Sequence, residues 1–253
     1  MKTWSPALLS AVLLGLGTTL NAADAGPKDD VLAAVRKLAD APNYSWRSTS
    51  EPGGGGGGGG GGGRMRQGPT DGKADKEGLI QLTMSRGDST TEAYLKGDKS
   101  AVKTPDGWKS ADELSSGGGE GPGGRGNPGR MLAWTLQGYK APAVEAQELA
   151  GKVRDWKKSG DEITGTLTPE GAKEFLVRTP RRGGGGGPSS SDERGTVRFW
   201  LKDGALVKYE LQVQGSMEFN GNSRDINRTT TVEIKDVGST RIAAPEDVQK
   251  KLS

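Results

Sequence analysis

Two adjacent carboxylate pairs, Asp161-Glu162 and Asp192-Glu193, are the groups in this chain that could run a hydrolysis. One carboxyl acting as acid and one as nucleophile or base would suffice for a glycosidase. Both pairs fall in sequence that predicts turns, where neighbouring carboxylates are ordinarily solvated surface, and no second signal accompanies them. The chain has no histidine and no cysteine. That excludes Ser-His-Asp triads, histidine bases, histidine or thiolate metal ligands, disulfides and a cysteine-linked lipid anchor. The expectation is a non-enzymatic protein with no metal and no cofactor.

Other short matches carry little chemistry. Arg181-Arg182 before glycines, and Arg125 and Arg130 among glycines, resemble RGG-type RNA-binding segments but lack their many repeats and interleaved aromatics. No glycine tract ends in Gly-Lys-Ser/Thr, so none is a phosphate loop. Arg86-Gly87-Asp88 is explained by a turn between strands. Asn43-Tyr44-Ser45 and Asn227-Arg228-Thr229 are glycosylation sequons, relevant only on a eukaryotic secretory route. A net charge of +3 and a pI near 9.0 permit an anionic partner without requiring one, and no nucleic acid is expected.

The elements that would position a site speak more clearly. From Val207 to Phe219 every odd position is apolar or glycine and every even position is polar. Side chains alternate along a strand, so this is one long strand with an apolar and a wet face. Val197 to Leu201 is its partner across Lys202-Asp203-Gly204. A three-residue loop with a glycine bulge would put Val197, Phe199, Leu201, Val207 and Tyr209 on one face; a two-residue loop would split them, so the bulge is preferred. On the other side Asn220-Gly221 turns into Ser223 to Val237, placing Ile226, Thr230, Val232 and Ile234 on the apolar face. Arg228 shares that face. It either reaches solvent along its stem or serves as a fixed cation for an anionic head group or carbonyl.

Upstream, a helix capped by Asp29 or Asp30 carries the stripe Val31, Leu32, Val35 and Leu38, and Pro42 ends it. Tyr44 to Thr49 is a first strand. Gly78 to Ser85, Thr90 to Leu95 and Ser100 to Thr104 form a meander that turns again at Pro105-Asp106-Gly107 before Trp108. Met131 to Gln137 and Pro142 to Val153 are helical, the second with Val144, Leu149 and Val153 buried. Glu162 to Leu167 is a strand, and Thr168-Pro169 starts a helix that turns Phe175 and Leu176 inward. A short helix follows Pro245. Trp46, Trp108, Trp134, Trp156 and Trp200 either pack the core or line a pocket. Trp134, flanked by Met131 and Leu136, is the candidate lid residue.

Residues 1–25 read as a secretory signal: Lys2, an apolar stretch from Ala7 to Leu16, and small residues before a cleavage point at Ala25 or Ala23. The stretch is shorter than the roughly 20 residues that span a bilayer. Residues 26–253 then form a single domain interrupted by flexible glycine-rich loops at 53–63, 116–129 and 183–187.

The order signal, helix, strands, helical insert, strands, short helix resembles the superfamily of periplasmic lipoprotein carriers, LolA-, LolB- and LppX-like. The resemblance rests on the hairpin Phe199-Trp200-Leu201-Lys202-Asp203-Gly204-Ala205-Leu206-Val207-Lys208-Tyr209-Glu210. It also rests on the closing Val237-Gly238-Ser239-Thr240-Arg241-Ile242-Ala243-Ala244-Pro245-Glu246-Asp247, similar to a final strand-and-proline segment. It implies an α+β fold: an antiparallel half-barrel with helices covering its concave face and a cavity between them for acyl chains or apolar partners.

The functional expectation is an exported, periplasmic or secreted, monomeric protein that holds a lipid, a lipoprotein acyl chain or an apolar peptide without inserting stably in a membrane. The candidate ligand-binding residues are Met131, Trp134, Tyr209, Leu211, Val213, Met217 and Arg228. The alternative is an envelope interaction module with the same sheet and a filled core.

Overall fold

The computed structural model describes residues 26–52, 67–116, 128–177, 189–219 and 222–253. The expected signal and nearly all of the three glycine-rich segments lie outside them. Of the expected second loop, Ser116 and Pro128-Gly129 belong to helices.

The described chain runs α1 (Pro27–Ala39), β1 (Asn43–Pro52), β2 (Gln67–Asp75), β3 (Leu79–Arg86), β4 (Ser89–Lys96), β5 (Lys99–Thr104) and β6 (Gly107–Ser110). Then come α2 (Ala111–Ser116), α3 (Pro128–Gln137), α4 (Pro142–Gly151), β7 (Val153–Ser159), β8 (Glu162–Leu167) and α5 (Pro169–Leu176). It closes with β9 (Ser189–Lys202), β10 (Ala205–Phe219), β11 (Asn222–Lys235) and α6 (Glu246–Leu252). The strands form one 11-stranded sheet in the order β6-β5-β4-β3-β2-β1-β11-β10-β9-β8-β7, antiparallel throughout and open at both ends. Two meanders, β1–β6 and β7–β11, meet where β1 pairs with β11. The helical insert α2–α4 carries the chain from one edge of the sheet to the other. This is the α+β architecture expected, an open antiparallel sheet with all helices but the last on one face.

The helices form for local reasons. Pro27 opens α1 with its φ preset, and the Asp29 carboxylate accepts the Gly26 N–H at 3.2 Å. The helix thus starts two residues before the expected cap, and Asp29 caps it from inside the first turn. Thr168 caps α5, its hydroxyl accepting the Gly171 N–H at 3.1 Å. Val31, Ala34, Val35 and Leu38 of α1 bury against α4, β7, β9 and β10, Phe175 and Leu176 of α5 against β8–β10, and all join the main core.

Several expectations need correction. α4 ends at Gly151; its buried residues are Pro142, Ala143, Ala146, Leu149 and Ala150, while Val144 is 50% exposed and Val153 is buried on a strand of its own, β7. β7 escaped the pattern because Asp155 takes a left-handed conformation at φ 55° and breaks the alternation. β2, QGPTDGKAD, has almost no apolar residues to alternate. The β9–β10 loop holds two residues, Asp203 and Gly204, both at positive φ, the geometry of a hairpin turn. The face match comes instead from a bulge between Leu206 and Lys208, which turns Leu206 inward and leaves Val207 exposed at 37%. The segment after Lys235 is irregular up to α6 rather than a strand. α6 packs on the opposite face of the sheet from the other helices, with Val248 and Leu252 against Tyr94, Ala101 and Trp108.

Both sheet edges are blunted. β6 has four residues, and β7 is bulged and carries Lys157 and Lys158. Short, kinked and charged edges discourage pairing with another chain.

Candidate functional site

The carboxylate pairs form no joint site. Asp161 lies in the β7–β8 turn and Glu162 faces Trp200 on β9. Asp192 and Glu193 lie in a bulge of β9, with Asp192 at φ 55°, not in a turn. The run of β9 from Glu193 to Trp200 separates them by roughly 23 Å, far beyond the spacing of two cooperating carboxyls. Glu193 accepts the Ser190 hydroxyl at 2.6 Å, which holds its pKa below the ordinary range.

The inner face, the one that bears α1, α3, α4 and α5, is best followed in rows across the strands. One row runs Leu95, Ile80, Ala74, Tyr44. The next runs Val102, Ala93, Leu82, Gly72, Trp46, Ile234. Both belong to the main core. A Cβ on Gly72 would stand 2.1 Å from the Trp46 ring, so only glycine lets the indole lie flat across β2. The third row runs Thr91, Met84, Thr70, Ser48, Val232, Tyr209, Phe199, Ile163, and the fourth Ser50, Thr230, Leu211, Val197. Here the face changes character. On β7–β11, Val232, Tyr209, Phe199, Ile163, Leu211 and Val197 are buried. Toward the first meander, Thr91, Met84, Thr70, Ser48, Ser50 and Thr230 are half-buried.

Four of the expected site residues, Tyr209, Leu211, Val213 and Met217, are buried on β10. The helices fill this side. Leu176 of α5 lies over Gly215, where a Cβ would meet it at 2.7 Å. The Tyr209 hydroxyl donates to Glu145 Oε2 of α4 at 2.6 Å, and burial with that neighbouring carboxylate pushes the phenol well above its ordinary pKa. Nearby, Trp46 Nε1 donates to the Tyr139 hydroxyl at 3.2 Å, and the Ala143 N–H donates to the Tyr44 hydroxyl at 3.4 Å. This hydrogen-bonded group anchors the start of α4 to the sheet.

Arg228 stands opposite Val213 on the inner face, as its register predicts. It is half-buried, and its Nη2 donates to the Phe175 carbonyl in the last turn of α5 at 2.9 Å. A cation on a helix C-terminal carbonyl is favourable, so Arg228 ties α5 to β11 and sets a positive charge between the filled and the half-buried regions. Met131 and Trp134 are not brought together with the β10 residues in the core. The buried positions of α3 are Ala133 and Leu136, with Leu132 partly buried; Met131 is 57% exposed and Trp134 half-buried under the Arg130 guanidinium, 4.7 Å from its ring centroid.

Ser48, Ser50 and Thr70 did not emerge from the sequence. The signal for the first two was present: Tyr44, Trp46, Ser48 and Ser50 share one face of β1 by alternation, but two serines suggest a solvated strand end. Away from α6 the outer face carries polar pairs such as Arg47 to Asp71 at 3.1 Å, beside a shallow dent of about 250 Å³. Among the described residues no group of carboxylates could hold a metal, and no helix is long and apolar enough to cross a membrane.

No protein-family model and no characterised protein matches the sequence. Among solved structures, the lipoprotein LppX of Mycobacterium tuberculosis is 11% identical with a TM-score of 0.45, over 87% of this chain and 100% of that one. LprF of Mycobacterium bovis is 11% identical with a TM-score of 0.43, over 88% of this chain and 97% of that one. At that identity and TM-score neither carries a function to this chain.

Proposed function

We propose that this chain is an exported, non-enzymatic binding protein that holds a lipid or other acyl-chain ligand against the inner face of its sheet. The observation that carries the proposal is the half-buried patch formed by Thr91, Met84, Thr70, Ser48, Ser50 and Thr230, set among rows that are otherwise buried. The ligand lies there, on the first meander and β11, and not over the filled β10 region first expected to line the cavity. Met84 and Ile226 supply apolar contact, the hydroxyls meet ester or hydroxyl groups, and Arg228 faces the polar end. Leu211 and Val213 form the wall beside it, while Tyr209 and Met217 support the filled side. Each methylene taken from water contributes about 0.8 kcal/mol, so such a site needs no catalytic group. The blunted sheet edges suit a monomer.

The second reading, an interaction module with a filled core, is favoured by the burial of β10 beneath α1 and α5. Native mass spectrometry of the protein purified from its own host, followed by organic extraction, separates the two. A bound species of defined lipid mass supports the carrier. A clean apo mass with no uptake of a fluorescent fatty acid would leave the interaction module.

A further inference from the structure

We propose that the cargo is an acidic glycerophospholipid, and that its phosphate and ester oxygens lie on the half-buried patch between Arg86 and Arg228. This rests on the carrier reading above and names the class of lipid. Four hydroxyls form the middle of the patch. Thr70 stands opposite Ser48 across β2 and β1, and Ser50 opposite Thr230 across β1 and β11. Paired residues lie about 5 Å apart and alternate residues of one strand about 7 Å apart, so one head group can reach all four. All four are half-buried, and their hydroxyls bond no protein group among the described residues. An acyl chain laid over them would leave them unsatisfied, whereas ester and phosphate oxygens accept from them. Met84 and Ile226, partly buried against the core, remain for the chains.

The charges select an acid. Arg86 ends β3 two residues beyond Met84, on the same inward side, exposed, and three strands or about 14 Å across from the strand of Arg228. Asp88, in the turn that follows, forms no ion pair with it. Among the described residues no inward position of β1–β5, β10 or β11 carries Asp or Glu. The outward positions of the same strands carry Asp71, Glu92, Glu210 and Glu233, each against a base. Glu193, inward on β9, accepts the Ser190 hydroxyl. On the covering helices Asp30 pairs with Lys158, Glu113 with Lys251, Glu148 with Lys140 and Glu174 with Lys152. Asp29 accepts the Gly26 N–H and Glu145 the Tyr209 hydroxyl, while Asp112 and Glu170 are exposed in first turns and α3 has no acid. Arginine only donates, and a sugar needs acceptors for its many O–H groups. The inventory therefore fits phosphate and ester oxygens better than a glycosyl head group. Arg228 already engages the Phe175 carbonyl, so the charge argument stands on Arg86.

The test offers the chain from Gly26 to Ser253 an equimolar, detergent-dispersed mixture of four lipids with matched acyl chains. These are phosphatidylglycerol, diacylglycerol, galactosyl-diacylglycerol and the free fatty acid, and native mass spectrometry reads which one loads. Phosphatidylglycerol should load roughly tenfold or more over diacylglycerol. Arg86→Gln should bring that ratio close to one while total lipid loading persists, and its melt should match the parent because Arg86 is exposed. Thr70→Val with Thr230→Val, which keeps the shape and removes two hydroxyls, should lower the ratio as well. Lys73→Gln, exposed on the outer face, should leave it unchanged. The proposal is overturned if diacylglycerol, its galactosyl derivative or the fatty acid loads as well as phosphatidylglycerol, and the carrier reading then still stands. It is also overturned if Arg86→Gln keeps the parent's ratio or if Lys73→Gln lowers it as much. A chain that loads none of the four overturns this proposal and the carrier reading together.

Discussion

The two meanders that meet at β1 and β11 close their inner faces by opposite means. The second, β7–β11, has three long strands, β9–β11, and covers its large apolar residues with α1 and α5. Phe199 sits in a stack there, 6.0 Å from Trp156 and 6.3 Å from Tyr209. The first, β1–β6, faces inward with alanine, glycine, serine and threonine more often than with leucine. Its large rings are two neighbours on β1, Tyr44 and Trp46, 5.6 Å apart, with Trp46 laid across Gly72. A wall of small residues leaves its outer positions half-buried; a wall of large residues under helices is buried throughout. The proposed binding site and the most heavily filled core thus fall in different halves of one continuous sheet.

This division can be broken at its strongest point first. Phe199→Ala removes the centre of the filled half and should cost about 4 kcal/mol, read as a shift of the urea midpoint with unchanged slope. A loss below about 1 kcal/mol would mean that the second meander is not the stable half. Gly72→Ala forces a methyl into the Trp46 ring and should cost about 3 kcal/mol, the upper end of overpacking penalties. If Gly72→Ala melts like the parent, the indole does not lie where described.

Tyr209→Phe removes the donor to Glu145 and should cost about 2 kcal/mol at neutral pH. Its pH dependence sharpens the point. Tyr209 loses its proton less readily folded than unfolded, so the unfolded chain releases protons first and the parent loses stability as the pH rises above about 10. Tyr94, on the outer face, is pushed up to about 12 and adds to that loss between about 10 and 12. The gap between Tyr209→Phe and the parent should therefore narrow in chemical denaturation above pH 10; a constant gap would show that Tyr209 is not buried in the folded state. Val207→Thr should change stability by less than about 0.5 kcal/mol, because the bulge turns Val207 outward. A large loss would restore the unbulged register.

The half of the fold that could be read from sequence is the stable half. Alternation with a period of two is strongest where a face is buried by large residues, so β10, β11 and the inward face of Arg228 followed from spacing alone, with Tyr209 as the first fully buried member of that alternation. The bulge at Val207 was invisible because Leu206 and Val207 are both apolar and either can turn inward. β2 was illegible for a different reason: its inner positions, Thr70, Gly72 and Ala74, are small because Trp46 and the space beside it occupy their volume. Periodicity reports side chains that fill a core, and says nothing where a neighbour's ring or a vacant space takes their place. The candidate site lies in that silent region, which is why Ser48, Ser50 and Thr70 required the structure.

The seam between β1 and β11 has one further effect. It joins Ser45 to Lys235, 190 positions apart in the chain, in the middle of the sheet. Neither meander can finish its inner edge until nearly the whole polypeptide is present, and contacts of such long range make folding slow. A chain still on the ribosome therefore lacks the last strand needed to lock the first. The sheet is therefore closed at its centre only when the last strand arrives.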